Sequence, residues 1–160
     1  EPAYETRIAD WEEMIDTNVK GLAWTVRTLL PGMVERGEGH VITTGSVAGD
    51  YPYPGGATYG VTKAFVKQFA LALRSDLQGK NVRVTNIEPG MSETEFSLVR
   101  FHGDRERADK TYEGIPPMSA EDIAEAMFWA ATLPRHVNIN RIQMMPVVQA
   151  FSPFDIHRRG

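Results

Sequence analysis

The sequence predicts an α/β fold built on a parallel sheet, and three stretches predict it. His40–Thr44 is a short β-branched run that ends in a loop. A helical pattern follows, from near Thr58 to Leu77. A second run, Val82–Glu88, alternates and stops at Pro89-Gly90. Strand, long helix, strand is the signature of parallel strands joined by a crossover helix.

The chain has 160 residues, enough for one domain with a real core. Seventeen basic residues against 21 acidic ones leave a formal charge of −4, which disfavours nucleic acid or an anionic membrane as partner. There is no cysteine, so disulfides and thiol chemistry are excluded; a reducing compartment, the cytoplasm, is the expected location. No apolar run approaches membrane-spanning length, and Glu1-Pro2-Ala3 does not open a signal-peptide pattern.

The first helix is predicted to start at Ala9–Glu13, with Asp10 as cap and Glu13 three residues on. Its apolar stripe is Trp11, Ile15, Leu22, Val26, Leu29 and Met33. Asn18 falls on that stripe, and a buried amide left unpaired costs ~1–3 kcal/mol, so it needs a partner. A core Asn bonded to neighbouring backbone is the bland reading. Pro31 kinks the helix or opens its last turn, and Gly37–Gly39 ends it.

Between the first strand and the long helix lies a Pro/Gly-rich loop, Asp50–Gly56. The long helix carries two apolar stripes, Val61/Phe65/Phe69 and Val66/Ala70/Leu73/Leu77, and so is expected to be packed on both sides. Met91–Pro117 is polar and broken, and is expected to form a lid with short helices. Ser119–Thr132 reads as a helix with a Ser119/Asp122 capping box. Arg141–Pro146 reads as a last strand, followed by an irregular tail with an apolar cluster at Val147–Phe151 and Phe154.

The chemistry gathers between Ser46 and Lys63. Ser46 follows the first strand; Tyr59 and Lys63, four residues apart, share one helix face about a turn apart. A phenol of pKa ~10 is a poor base near neutral pH. A neighbouring ammonium favours the phenolate, which makes the pair a proton-transfer device, and a strand-end hydroxyl can bond a reacting oxygen. Tyr-x-x-x-Lys alone is weak; its context here is Ser46 before it and Pro89-Gly90 with Thr94 after it.

In that context the chain resembles the short-chain dehydrogenase/reductase family. The matching pieces are Asn18-Val19-Lys20-Gly21, Gly45-Ser46, Tyr59-Gly60-Val61-Thr62-Lys63 and Pro89-Gly90-Met91-Ser92-Glu93-Thr94, in order over nearly the whole chain. A nearer resemblance is to the NADP-dependent 3-hydroxy acid dehydrogenases, which act on serine and L-allo-threonine. It rests on Trp11–Gly21, Leu30–Arg36, Glu88–Gly90 with Thr94–Ser97, and Leu133-Pro134 with His136–Asn140 and Met144–Pro146.

The resemblance implies the second half of a Rossmann-type doubly wound parallel sheet and an NAD(P)-dependent alcohol–carbonyl oxidoreductase. NADP is the expected cofactor, with NAD as the alternative. It implies Tyr59 as acid/base, Lys63 lowering its pKa and holding the cofactor ribose, Ser46 polarising the substrate oxygen, and Asn18 holding a relay water. Pro89, Gly90 and Thr94 would border the nicotinamide. Ser46, Val47 and Arg100 are the candidate substrate contacts, Arg100 because its planar fork suits a carboxylate. The substrate would be a small hydroxy acid or the corresponding carbonyl compound. Family members are commonly tetramers, and in the family tails often cover a neighbouring subunit's site.

The family's Gly-x-x-x-Gly-x-Gly phosphate turn, its ribose reader and its Asn-Asn-Ala-Gly segment do not occur in these residues. The chain is therefore expected to begin mid-domain, residues 1–160 being the catalytic C-terminal part, with a bare edge on its first strand. A serine hydrolase is disfavoured, since Thr44 and Ala48 stand where a nucleophile elbow needs glycines. His40, His102, His136 and His157 lack metal-ligand spacing and read as core or surface residues. The rival of another class is a catalytically silent assembly module.

Overall fold

The computed structural model describes residues 2–101, 103–152 and 154–158, with the backbone alone described at Arg100. Three parallel strands run β1 (Gly39–Thr44), β2 (Val82–Pro89) and β3 (Arg141–Met144), in spatial order β1-β2-β3. Gly39 pairs with Val82 and Thr44 with Ile87 in the first ladder; Asn86 pairs with Arg141 and Pro89 with Met144 in the second. Among the described residues β1 is an edge strand, as expected. Asn138 extends the second ladder: its side-chain amide accepts from Val84 N at 2.8 Å and donates to Val84 O at 2.9 Å.

Helices cover both faces. On one lie α2 (Leu22–Arg36) and α3 (Ala57–Asp76), whose Val26, Ala70, Leu73 and Leu77 pack on Val82 and Val84 of β2. On the other lies α6 (Ala120–Thr132), where Ile123 and Met127 meet Ile42, Ile87 and Ile142. The alternation of β2 sends successive side chains to opposite faces, so one strand serves both cores. Helices on both sides of a parallel sheet make the doubly wound arrangement that the sequence predicts. The inner stripe of α3 is buried, whereas Val61 on the outer stripe is 70% exposed.

The first helix differs from its prediction at two points. α1 spans Ile8–Ile15 with Arg7, not Asp10, at the N-cap. Asp10 sits in the first turn and takes a two-point bond from the Arg7 guanidinium, while the helix dipole favours its charge there. Then Asp16–Gly21 forms a turn of π-helix before α2 resumes. Gly37, at φ 63°, ends α2: its N–H bonds to Val34 O and that of Glu38 to Met33 O, each at 3.1 Å. Pro31 lies inside α2.

The capping box holds: Asp122 N donates to Ser119 Oγ at 3.2 Å and Ser119 N to Asp122 Oδ2 at 2.7 Å. The other end of α6 is capped from the sheet, where Arg83 donates to the carbonyls of Ala130, Ala131 and Leu133. Between β2 and α6 the chain forms α4 (Phe96–Arg100) and α5 (Arg105–Tyr112), the short helices expected there. No helix among the described residues is long and apolar enough to cross a membrane.

Candidate functional site

The carboxyl ends of β1 and β2 carry the loops that build a cleft of about 490 Å³. This is where parallel sheets generally bind ligands. β1 is prolonged by Gly45, whose N–H donates to Ile87 O at 2.7 Å. Ser46 follows in extended conformation and caps a single 3₁₀ turn, Val47–Gly49, its Oγ accepting from Ala48 N at 3.1 Å. Gly49 rests on the backbone of α3; a Cβ there would stand 2.9 Å from the Lys63 carbonyl carbon. That close approach sets the turn carrying Ser46 against the helix carrying Tyr59 and Lys63.

Ser46, Val47, Tyr59, Lys63 and Asn18 all line the cleft. Lys63 Nζ donates to the carbonyl of Thr44 at 2.9 Å and stands 5.7 Å from the centroid of the Tyr59 ring. Burial pushes the Lys63 pKa down. The Tyr59 ring packs at 5.3 Å against Phe96, which the lid contributes. Asn18 lies on the π-helical turn, a deformation often found at functional positions. Its Nδ2 donates to Thr62 Oγ1 at 3.1 Å, and that hydroxyl donates to the Tyr59 carbonyl at 2.8 Å. Asn18 is therefore neither an unpaired core amide nor bonded to its neighbouring backbone; it reaches the helix of Tyr59 through one buried threonine.

Pro89, Gly90 and Thr94 line the same cleft, and Ser46 Oγ donates to the Pro89 carbonyl at 3.5 Å. Gly90 N donates to Met144 O at 2.7 Å, and Met91 N to Gln149 Oε1 at 2.8 Å. A Cβ on Gly90 would lie 2.3 Å from that Gln149 oxygen, so a side chain there would have to displace Gln149 from its bond to Met91 N. Thr94 Oγ1 accepts from Phe96 N at 3.2 Å. The lid is fastened at its base, where Glu93 N bonds to Met118 O at 2.9 Å and Met118 N to Met91 O at 3.1 Å. Tyr112 ties it again, donating to Ser92 O at 2.8 Å with Ser97 Oγ 2.6 Å away.

The tail folds over its own chain. Phe151 packs on Tyr51 at 5.9 Å, and Phe154 meets Tyr53 edge-on at 5.1 Å; Tyr53 and Phe154 both line the cleft. The Arg100 side chain and His102 lie outside the described residues. Among the described lining residues Lys63 is the one cation. Among the described residues no three His, Cys, Asp or Glu side chains gather as a metal site.

Sequence reasoning missed Thr62 and Gln149 as site residues, and it singled out Phe154 as part of an apolar tail without pairing it with Tyr53. Thr62 lies inside the quoted Tyr59–Lys63 motif and could have been flagged as the polar residue on the buried side of that turn. The apolarity of the tail is local, but where Gln149 and Phe154 pack is not, because their partners are 58 and 101 positions away.

The short chain dehydrogenase family profile matches residues 1–103. The NADP-dependent 3-hydroxy acid dehydrogenase YdfG of Salmonella typhi is 59% identical over 159 residues, covering 99% of this chain and 64% of that protein. The serine 3-dehydrogenase of Rhizobium radiobacter is 52% identical, with 99% of this chain and 64% of that protein covered. Among solved structures, the closed form of a serine dehydrogenase complexed with NADP+ superposes with a TM-score of 0.94 at 56% identity, over 99% of this chain and 64% of that one. The chain thus spans about 64% of the length of the relatives it matches. With a profile covering more than half the chain and identities above one half, the chain belongs to the short chain dehydrogenase family.

Proposed function

We propose that this chain carries the catalytic half of an NADP-dependent oxidoreductase that interconverts a small 3-hydroxy acid and its carbonyl form. The observation that carries this reading is that Ser46, Tyr59, Lys63, Asn18, Pro89, Gly90 and Thr94 all line one cleft. NADP is favoured over NAD because the Salmonella relative is named NADP-dependent and the serine dehydrogenase structure holds NADP+. The substrate class likewise follows their names, and residues 1–160 are read as a single catalytic portion of a larger domain.

The cleft suits a nicotinamide in shape and chemistry. Its lining offers the Lys63 ammonium, the Tyr59 phenol, a glycine turn at Gly90 and a hydroxyl at Thr94. Bound there, the cofactor would accept or supply the hydride. The chain's own work is proton management and orientation. Ser46 donates a hydrogen bond to the substrate oxygen and fixes it towards Tyr59. Tyr59 takes the hydroxyl proton in oxidation and returns it in reduction. Lys63, held by the Thr44 carbonyl, favours the phenolate through its charge. Asn18, anchored on Thr62, holds the path by which that proton reaches solvent. Phe96, Tyr53 and Phe154 add aromatic surface to the cleft lining.

Two exposed apolar faces support a homo-oligomer, a tetramer being the family expectation. Trp24, Leu29 and Val61 lie on α2 and α3, and Phe128 and Trp129 on α6, each more than half exposed. Placement in the cytoplasm rests on the absence of cysteine.

The test is NADP reduction by the protein expressed from its complete reading frame, with serine, 3-hydroxyisobutyrate and neutral alcohols of equal size. The acids are expected to be preferred. Arg100→Met should raise KM for the acids at least ~10-fold, the order of one charge-assisted bond, and leave the alcohols unchanged. Equal loss on both classes removes Arg100 from the substrate site; no reduction with any of them removes the enzymatic reading.

A further inference from the structure

We propose that Asp50, Arg141, Lys67 and Glu88 are positioning residues that hold the Ser46 turn in register with Tyr59 and Lys63; the inference rests on the catalytic reading above. Glu88, one residue before Pro89, is 1% exposed, yet it is a carboxylate. Arg141 of β3 grips it with two donors, Nε to Oε1 at 2.8 Å and Nη2 to Oε2 at 2.7 Å. The same guanidinium reaches Asp50, the residue that closes the Val47–Gly49 turn, and Asp50 also pairs with Lys67. Gln143 fills the remaining space, donating to Asp50 at 3.1 Å and to Glu88 at 3.3 Å. Two carboxylates thus face two cations, and the cluster is neutral as a whole.

The cluster touches the catalytic turn at both ends. At the start, Asn86 donates to Glu88 at 2.7 Å and accepts from Thr43 at 2.7 Å, and a Cβ on Gly45 would stand 2.8 Å from the Asn86 amide. Gly45, next to Ser46, therefore lies flat on the buried polar layer. At the far end Asp50 is tied to β3 by Arg141 and to α3 by Lys67, one helical turn beyond Lys63. Burial opposes ionisation of Asp50, yet Lys67 and Arg141 together keep its carboxyl below the ordinary value, so it is charged at neutral pH. Replacing such a cluster with packed apolar side chains is often neutral or better for stability. What the ions supply and a hydrophobic patch does not is direction: bidentate, short-range bonds that admit one placement of the turn.

The test is Asp50→Asn, with Asp50→Glu as the conservative variant, in the protein from its complete reading frame. Displacement of the turn is expected to lower kcat by about 10–100-fold, the size of effect a misplacement of about 1 Å produces. KM for the dinucleotide should stay within 2-fold, as no cofactor-wall residue moves. Ser46→Ala should cost at least 10-fold less in the Asp50→Asn background than alone, because a misplaced hydroxyl has less to lose. Amide hydrogen exchange should quicken over residues 46–50 and stay unchanged over 82–85. Asp50→Glu should recover part of both effects. Exchange quickening equally in both segments, or additive losses from Ser46→Ala and Asp50→Asn, would overturn the proposal. Absence of turnover in the unsubstituted protein would sink the catalytic reading instead, and the exchange comparison would still decide whether the cluster fixes the turn.

Discussion

Val82 and Val84 on β2 are 3% and 2% exposed; Asn86 and Glu88, next along the same face of the same strand, are 0% and 1% exposed. Burial is equal and chemistry is opposite. The amino half meets Ala70, Leu73 and Leu77 in an apolar layer, whereas the carboxyl half meets Asn86's and Glu88's partners Thr43, Arg141 and Gln143. On this face depth within the sheet does not decide polarity; nearness to the carboxyl end, where the cleft lies, does. Apolar contacts hold a strand without fixing its direction, and are sufficient where nothing reactive is attached. Buried hydrogen bonds and ion pairs are directional, and they appear under the loop that carries Ser46.

The contrast can be broken at either half. Arg141→Met strands the Glu88 carboxylate in the interior and should cost about 3–5 kcal/mol of stability, read as a fall in denaturant midpoint at constant slope. Val84→Ala in the other half should cost about 2 kcal/mol through lost transfer energy and a small cavity. The sharper expectation is in the kinetics of the folded fraction, where Val84→Ala leaves kcat unchanged and Arg141→Met lowers it. Equal kinetic loss from both would erase the distinction between the two halves.

A smaller effect concerns the outer strand. His40 is desolvated on β1 and faces the Arg83 cation, and these push its pKa down to about 4 from an ordinary 6.5. Its Nε2 meets Thr85 Oγ1 at 2.8 Å, while Nδ1 is buried without a partner. The unfolded chain therefore binds a proton there before the folded one does. Stability from this group is complete above pH 6.5 and drains away as pH falls towards 4. Partial solvent access limits the effect to about 1 kcal/mol or less. Melting temperatures of His40→Gln and the parent should converge or cross over that window, and a parallel pair of curves would refute the assignment.

What the sequence disclosed was whatever is local. β1, α3, β2 and the capped α6 follow from period, β-branching and a Ser119/Asp122 pair only three residues apart. Of the cleft-lining positions, Ser46, Tyr59 and Lys63 were legible from spacing and strand ends, whereas Asn18, Pro89, Gly90 and Thr94 were legible only through the family resemblance. The π-helical turn at Asp16–Gly21 left no trace, since it alters hydrogen-bond partners and not residue type. Asp10 misled because a carboxylate suits both the cap and the first turn of a helix, and Arg7 settles which. The ion cluster joins Asp50, Glu88 and Arg141 across separations of 53 and 91 positions, so only the folded sheet could reveal it.

The central claim is that the Tyr59 phenol moves the proton while the rest of the cleft holds the reactants. It is tested most directly on Tyr59→Phe, by measuring dinucleotide affinity and turnover on one preparation. Affinity for NADPH within a few-fold of the parent, with kcat lowered by about 10²–10⁴-fold, is the expected result. Turnover that survives loss of the hydroxyl within a few-fold would contradict the account.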